Sequence, residues 1–392
     1  MELKKSDTRI LVFFLYLTVN VIAFILSCIQ GYILVENYSF SFNFDNGALG
    51  FAYVIFSLLF ITLLYVFFTF LLRPYNEHIN ITRFYENKKI SISIFSIQTL
   101  FIVFNLYYGL NVAGVGEDVN IAPSLLRYFF VIFNPDILFL IYACTNINNQ
   151  LYKVNCCAYF ASTLIRGWSG GVLFLLFIFL CRSNKINLKL ILLFIICLLF
   201  APFIMEIKWL IRSNTFDYNN IISEFDYGKS LGQFLGYLVY RLQQVTNVIY
   251  LIDRVEHISI LYQDNTLVPY WGGFIGLKNL YQLYYPQAIP LGQWLGSSIE
   301  NSLVSWNSNP GLAGWFIILT NYSLFYGGIF ILITVTAIFF NVYFSIIIGR
   351  GCITGFSYIL CVLYLFPGWM GMYFNMIFYL IIWCVVIKIL KV

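Results

Sequence analysis

Long apolar runs separated by short polar connectors dominate the chain, at residues 10–35, 48–72, 91–113, 124–145, 154–165, 168–181, 190–210, 323–348, 352–366 and 370–387. A helical crossing of a bilayer needs about 20 apolar residues. The pattern therefore predicts an all-α polytopic membrane protein with about ten transmembrane helices, two of them short, forming one integral membrane domain over 1–392. The first run follows Lys4, Lys5 and Arg9 and is too long for the apolar centre of a secretory signal, so it reads as an uncleaved anchor. A single long polar stretch, 212–312, separates the seventh and eighth runs and predicts one large outer, periplasmic loop. Within it, 231–254 has helical periodicity. Phe234, Leu235, Leu238, Leu242, Val245, Ile249 and Ile252 share one face, while Gln233, Tyr237, Tyr240, Gln244, Asn247 and Arg254 occupy the other. This predicts one amphipathic helix, lying on the membrane or packed on the bundle with its polar face toward a cavity.

Composition agrees with the pattern: 61% of residues are hydrophobic, 10% are charged and the mean hydropathy is +0.83, which excludes a soluble globular class. Charge adds the orientation. Connectors 73–90 and 182–189 are basic, as are the flanks at Lys4, Lys5, Arg9, Lys153, Arg350, Lys388 and Lys391. These mark the cytoplasmic side with a balance of +10, against −5 for everything else. Both termini are then cytoplasmic and 212–312 lies outside. Sorting of charge by membrane side leaves no basic patch for nucleic acid. Lys153 and Arg182 can share the cytoplasmic side only if the chain between them crosses twice, which puts Arg166-Gly167-Trp168 at a turn on the outer side or in a recessed pocket. One long tilted helix would instead bury Arg166 mid-membrane, which is costly without a partner. None of the nine cysteines falls between Arg212 and Asn309, so no disulfide framework is expected there.

The candidate chemistry is narrow. His78 and His257 fall on opposite sides of the membrane, which argues against a histidine metal site, and no Asp-x-Asp pair, phosphate-binding loop, dinucleotide fingerprint or serine-nucleophile elbow occurs. No metal or cofactor is expected. Arginine matches phosphate oxygens bidentately, and Arg166, Arg241, Arg212 and Arg254 are the candidates for holding a lipid-linked diphosphate. Each also has a plainer role: Arg166 closing a helical hairpin, Arg241 and Arg254 as edge residues of a solvated helix, Arg212 as an anchor after an apolar run. Asp253, His257 and Glu300 are the candidate bases for activating a sugar hydroxyl. Asp136, inside a crossing after Asn134-Pro135, is expected to help satisfy a broken helix backbone or to pair with Arg127.

Three short segments carry a resemblance: Leu164-Ile165-Arg166-Gly167-Trp168-Ser169-Gly170-Gly171 opening a short apolar helix, Tyr240-Arg241-Leu242-Gln243-Gln244-Val245 in the long loop, and Asn309-Pro310-Gly311-Leu312-Ala313-Gly314-Trp315 before an apolar helix. Together with the layout of runs, the chain resembles the O-antigen polymerases (Wzy), the oligosaccharide repeat unit polymerases of bacterial surface polysaccharide assembly. The resemblance covers the whole chain in topology and only these places in residues. The regular arginine-to-glycine spacing of some members is missing, and Trp306 and Asn307 stand where related ligases place a histidine. The resemblance implies a glycosyltransferase of the bacterial inner membrane. It would join undecaprenyl-diphosphate-linked oligosaccharide repeat units at the periplasmic face by metal-independent inverting transfer, beside a flippase and a chain-length regulator. A lipid-linked oligosaccharide flippase, an O-antigen ligase and a membrane acyltransferase are the alternatives. The single long loop speaks against the first, and the position of His78 against the last.

Overall fold

The computed structural model describes residues 7–35, 38–72, 88–110, 123–145, 150–168, 170–182, parts of 192–206, 226–275, 277–302, 307–348 and 353–389. Arg212 and His78 lie outside the described residues, as does most of the seventh apolar run. The described chain is helical apart from two small two-stranded pairings. Helix α1 (Asp7–Gln30) leads through the antiparallel hairpin β1 (Tyr32–Val35) and β2 (Tyr38–Ser41) into α2 (Phe44–Leu71), and α3 (Lys88–Tyr108) follows. Asn43 starts α2 by accepting the Asp45 N–H at 2.9 Å. Among the described residues, five segments are long and apolar enough to cross a membrane: Arg9–Gln30, Phe44–Leu71, Lys88–Tyr108, Leu125–Cys144 and Leu324–Ile348. Three shorter apolar helices, Leu173–Arg182, Ile353–Leu365 and Met370–Val385, join them. This is an all-α membrane protein.

The fourth segment is broken in the middle. α4 (Ser124–Ile132) stops and α5 (Pro135–Thr145) restarts, because Pro135 carries no N–H and disfavours a helical conformation at Asn134. The freed backbone groups find partners nearby, as they must in a lipid environment. The Asn134 side chain accepts the N–H groups of Asp136 (3.0 Å) and Ile137 (3.3 Å). The Tyr379 hydroxyl accepts the Asn134 N–H at 2.8 Å and lies 2.7 Å from the Val131 carbonyl. Asn134 and Tyr379 thus perform the backbone role expected of Asp136.

Two helices, α6 (Gln150–Ile165) and α7 (Gly170–Arg182), form the hairpin expected around Arg166-Gly167. Gly167 adopts φ +67°, and the N–H groups of Gly167 and Trp168 bond back to Leu164 and Thr163 at 2.9 and 2.8 Å, closing α6 with a left-handed cap. The chain reverses tightly enough that a Cβ on Gly171 would come within 2.4 Å of Thr163.

The expected single helix over 231–254 is instead two, α8 (Tyr227–Leu242) and α9 (Val245–Ile252), followed by α10 (Val255–Gln263). Gln243 and Gln244 between them are extended or irregular and buried. Asn20, in the middle of α1, holds the break open: its Oδ1 accepts the Gln244 N–H at 2.8 Å and its Nδ2 donates to the Leu242 carbonyl at 3.3 Å. Gln243 then caps α9 by accepting the Thr246 N–H at 3.1 Å. From this point α9 runs along α2. Ile249 would lie 2.8 Å from a Cβ on Gly50, and Asp253 reaches Asn46 near the start of α2. Asn20 lies ten residues before the end of α1, about 15 Å in helical rise. The stretch read as an outer loop therefore dips well into the bundle.

A second dip follows. After β3 (Leu267–Val268), α11 (Leu277–Tyr284), β4 (Ile289–Pro290) and α12 (Leu291–Glu300), the chain enters α13 (Gly311–Tyr322), then α14 (Leu324–Ile348), α15 (Ile353–Leu365) and α16 (Met370–Ile389). α13 has 12 residues and α15 has 13, against 25 in α14. The two short helices share the length of the long one: Thr320 faces Gly327 near its beginning, and Ser357 bonds Asn341 further along. They meet where Gly311 and Leu312 donate to the carbonyls of Pro367 and Phe366, each at 3.0 Å. Gly311 (φ +75°) and Gly368 (φ +84°) are needed here, since a Cβ on Gly368 would sit 2.8 Å from the Gly311 backbone.

Candidate functional site

Beside the start of α2, the α9–α10 joint and α12 line an open cleft of about 710 Å³, within the range of small-ligand sites. The joint is only Asp253 and Arg254, and it delivers the run Asp253 to His257 to the cleft wall. Trp294 and Ser298 come from α12, Asn301 from its cap, and Asn46 from α2. Three of the residues singled out from sequence, Asp253, Arg254 and His257, thus share one site.

Their environments differ. The Asp253 carboxylate accepts from the Asn46 amide at 2.6 Å, which orients it. The Arg254 guanidinium lies 3.7 Å from the centre of the Tyr250 ring and 5.7 Å from that of Phe40, a cation–π arrangement that fixes one of its faces. Tyr250 is itself held, with its hydroxyl 3.0 Å from that of Ser298 and its ring edge-on to Phe40. His257 stands 6.0 Å, ring centre to ring centre, from Trp294. Glu256 occupies the first turn of α10, where the helix dipole favours a carboxylate. Among the described residues neither Glu256 nor His257 is engaged in a hydrogen bond or ion pair, and both are exposed. The cleft can therefore offer a fixed carboxylate, a free imidazole, a clamped guanidinium and a flat indole to one ligand.

The other residues singled out from sequence lie elsewhere. Glu300 is exposed at the end of α12 and does not line the cleft, although its neighbour Asn301 does. Arg241 sits in the last turn of α8, before the Gln243–Gln244 break, so its position relative to Arg254 cannot be taken from one continuous helical wheel. Arg166 is buried in the hairpin. Its Nη2 lies 2.8 Å from Asp136, its Nε donates to the Ser162 carbonyl at 3.0 Å, and its guanidinium carbon is 5.0 Å from the ring centres of both Phe101 and Trp168. Asp136 accordingly pairs with Arg166 and not with Arg127. A phosphate at Arg166 would have to share the guanidinium with this carboxylate.

A second polar cluster lies at the dips. Gln244 and Asn309 are buried, and Nε2 and Oε1 of Gln244 and Oδ1 of Asn309 have no hydrogen-bond partner among the described residues. Asn247 ties the two dips together by donating to the Asn309 carbonyl at 2.8 Å.

Sequence reasoning missed Asn46, Trp294, Ser298 and Asn301. No local signal marks them, because each enters the site through a contact between distant segments. Compared with protein-family models, with curated proteins and with solved structures, the chain matches none.

Proposed function

We propose that this chain is a polysaccharide polymerase of the bacterial inner membrane, with about ten crossings, both termini in the cytoplasm and the cleft on the periplasmic side. It joins undecaprenyl-diphosphate-linked oligosaccharide repeat units, and a flippase that delivers them and a chain-length regulator are its working partners. The observation that carries this reading is the cleft itself, where an oriented carboxylate and a free imidazole stand beside an indole at one end of a membrane bundle.

In the reaction, a hydroxyl of the incoming repeat unit loses its proton to Asp253 or His257 as its oxygen bonds to the anomeric carbon of the donor glycan. The bond from that carbon to the diphosphate oxygen breaks, the configuration inverts, and undecaprenyl diphosphate leaves with the electron pair. Asn46 fixes the Asp253 carboxylate for this transfer. General-base assistance of this kind contributes about 10²–10⁴ in rate. Glu300 lies outside the cleft and takes no part.

The lipopolysaccharide ladder of a strain lacking this protein tests the reading. A core capped with a single repeat unit, restored to a long ladder by the intact gene and not by Asp253→Asn, is the expected result. A core with no repeat unit at all would replace the polymerase with a flippase or a ligase.

A further inference from the structure

The charge of the cleft says which part of a lipid-linked glycan it suits. Two carboxylates, Asp253 and Glu256, face one guanidinium, Arg254, so with His257 neutral the formal charge of the lining is −1. Arg254 is moreover held face-on against Tyr250 at 3.7 Å, which restricts how its donors can turn toward a ligand. A diphosphate placed here would meet one constrained cation and two like charges, the reverse of the arginine-rich surroundings that phosphate recognition uses. A sugar ring meets the opposite situation. Its C–H face can lie on the exposed part of the Trp294 indole, and its hydroxyls can donate to the two carboxylates and accept from the Asn301 amide. An ammonium group on the ring would gain from the net negative charge.

We propose that this cleft is a saccharide subsite that accepts neutral or amine-bearing rings and rejects phosphate-bearing ones. It takes the sugars of the acceptor, while the lipid diphosphate is held elsewhere. The assignment to the acceptor rests on the polymerase reading; the preference for sugar over phosphate does not. The volume of about 710 Å³ leaves room for more than one ring, as a site for a repeat unit requires.

Saturation-transfer NMR on the full-length protein in nanodiscs tests this with glucose, galactose and N-acetylglucosamine as neutral probes, glucosamine as the amine-bearing probe and glucose 1-phosphate as the anionic one. At least one neutral sugar and glucosamine should receive saturation, and glucose 1-phosphate should bind about tenfold more weakly or worse, equivalent to about 1.4 kcal/mol. Trp294→Ala should abolish transfer to the neutral sugars and Trp294→Phe should keep it, which separates loss of the ring from loss of the fold. The double variant Asp253→Asn with Glu256→Gln should weaken the neutral signal, lose the advantage of glucosamine and narrow the gap to glucose 1-phosphate. Preferential binding of glucose 1-phosphate by the unmodified protein would overturn the proposal. So would no signal from any neutral or amine-bearing sugar, or a neutral signal that survives Trp294→Ala. Sugar binding in a protein whose deletion leaves the ladder unchanged would remove the polymerase reading and keep the subsite; a shortened ladder with a phosphate-preferring cleft would do the reverse.

Discussion

Arg166 beside Asp136 and Arg254 beside Asp253 look alike as residue types, yet the two regions do opposite things. Where the α6–α7 hairpin meets α5, the cation and the acid bond each other at 2.8 Å, and the arginine also satisfies a carbonyl and contacts two aromatic rings. At the α9–α10 joint the neighbours do not pair: Asp253 is held by Asn46 and Arg254 by Tyr250. Charges that neutralise each other in a buried hairpin hold structure together and have little left for a ligand. Charges fixed separately at the edge of an open cleft keep their remaining hydrogen-bonding capacity. An arginine in a membrane protein is thus not in itself a phosphate ligand; what its partner is decides.

The strongest way to break this comparison is to remove the buried half of the Arg166–Asp136 pair. Arg166→Ala leaves Asp136 uncompensated and should lower stability by about 3–5 kcal/mol. Thermal unfolding in detergent checks it, and the double variant with Asp136→Ala should recover a large part of the loss. Equal stability of Arg166→Ala and the unmodified protein would place Arg166 with the cleft residues as a free cation.

The cleft should show the converse, activity lost without stability. Asp253→Asn should slow polymer lengthening about a hundredfold and shift the unfolding free energy by less than about 0.5 kcal/mol, as for other exposed substitutions. A loss of stability matching the loss of activity would make Asp253 a structural residue like Asp136.

A third variant sharpens the contrast with a site that is polar but unpaired. Gln244→Met replaces a buried amide that has no partner among the described residues with an unbranched apolar chain, and should stabilise the protein by about 1–3 kcal/mol, the penalty of an unsatisfied buried polar group. Destabilisation would show that the amide is satisfied in the membrane by a partner such as an ordered water. The smallest effect on polymer length is expected at Glu300, outside the cleft: Glu300→Gln should leave the ladder intact. A truncated ladder from this variant would move the reacting centre toward the end of α12.

The helical-hairpin turn at Arg166-Gly167 was legible because putting Lys153 and Arg182 on one side of a membrane requires the chain between them to reverse, and one long helix would bury Arg166 at its middle. The break at Gln243–Gln244 was not. Those residues sit where polar side chains belong on a continuous amphipathic wheel, and neither is a glycine or a proline. What separates α8 from α9 is Asn20, more than 200 residues earlier, competing for the Leu242 carbonyl and the Gln244 N–H. Periodicity records which face of a helix is apolar; it carries no record of a distant side chain that captures the backbone.

By itself the sequence determined that this is a helical membrane protein, where most of its apolar helices run, and that Asp253, Arg254 and His257 come as one group. Each of these follows from local composition or spacing, because a bilayer demands long apolar helices and five consecutive residues cannot be far apart. Only the tertiary structure decided that Asp136 neutralises Arg166, that Trp294 and Asn46 complete the cleft, and that Gly311 and Gly368 let two half-length helices meet against α14. Those contacts join segments from about 30 to more than 200 residues apart. They form because buried charges and buried backbone groups take whichever partner the packed bundle brings within reach.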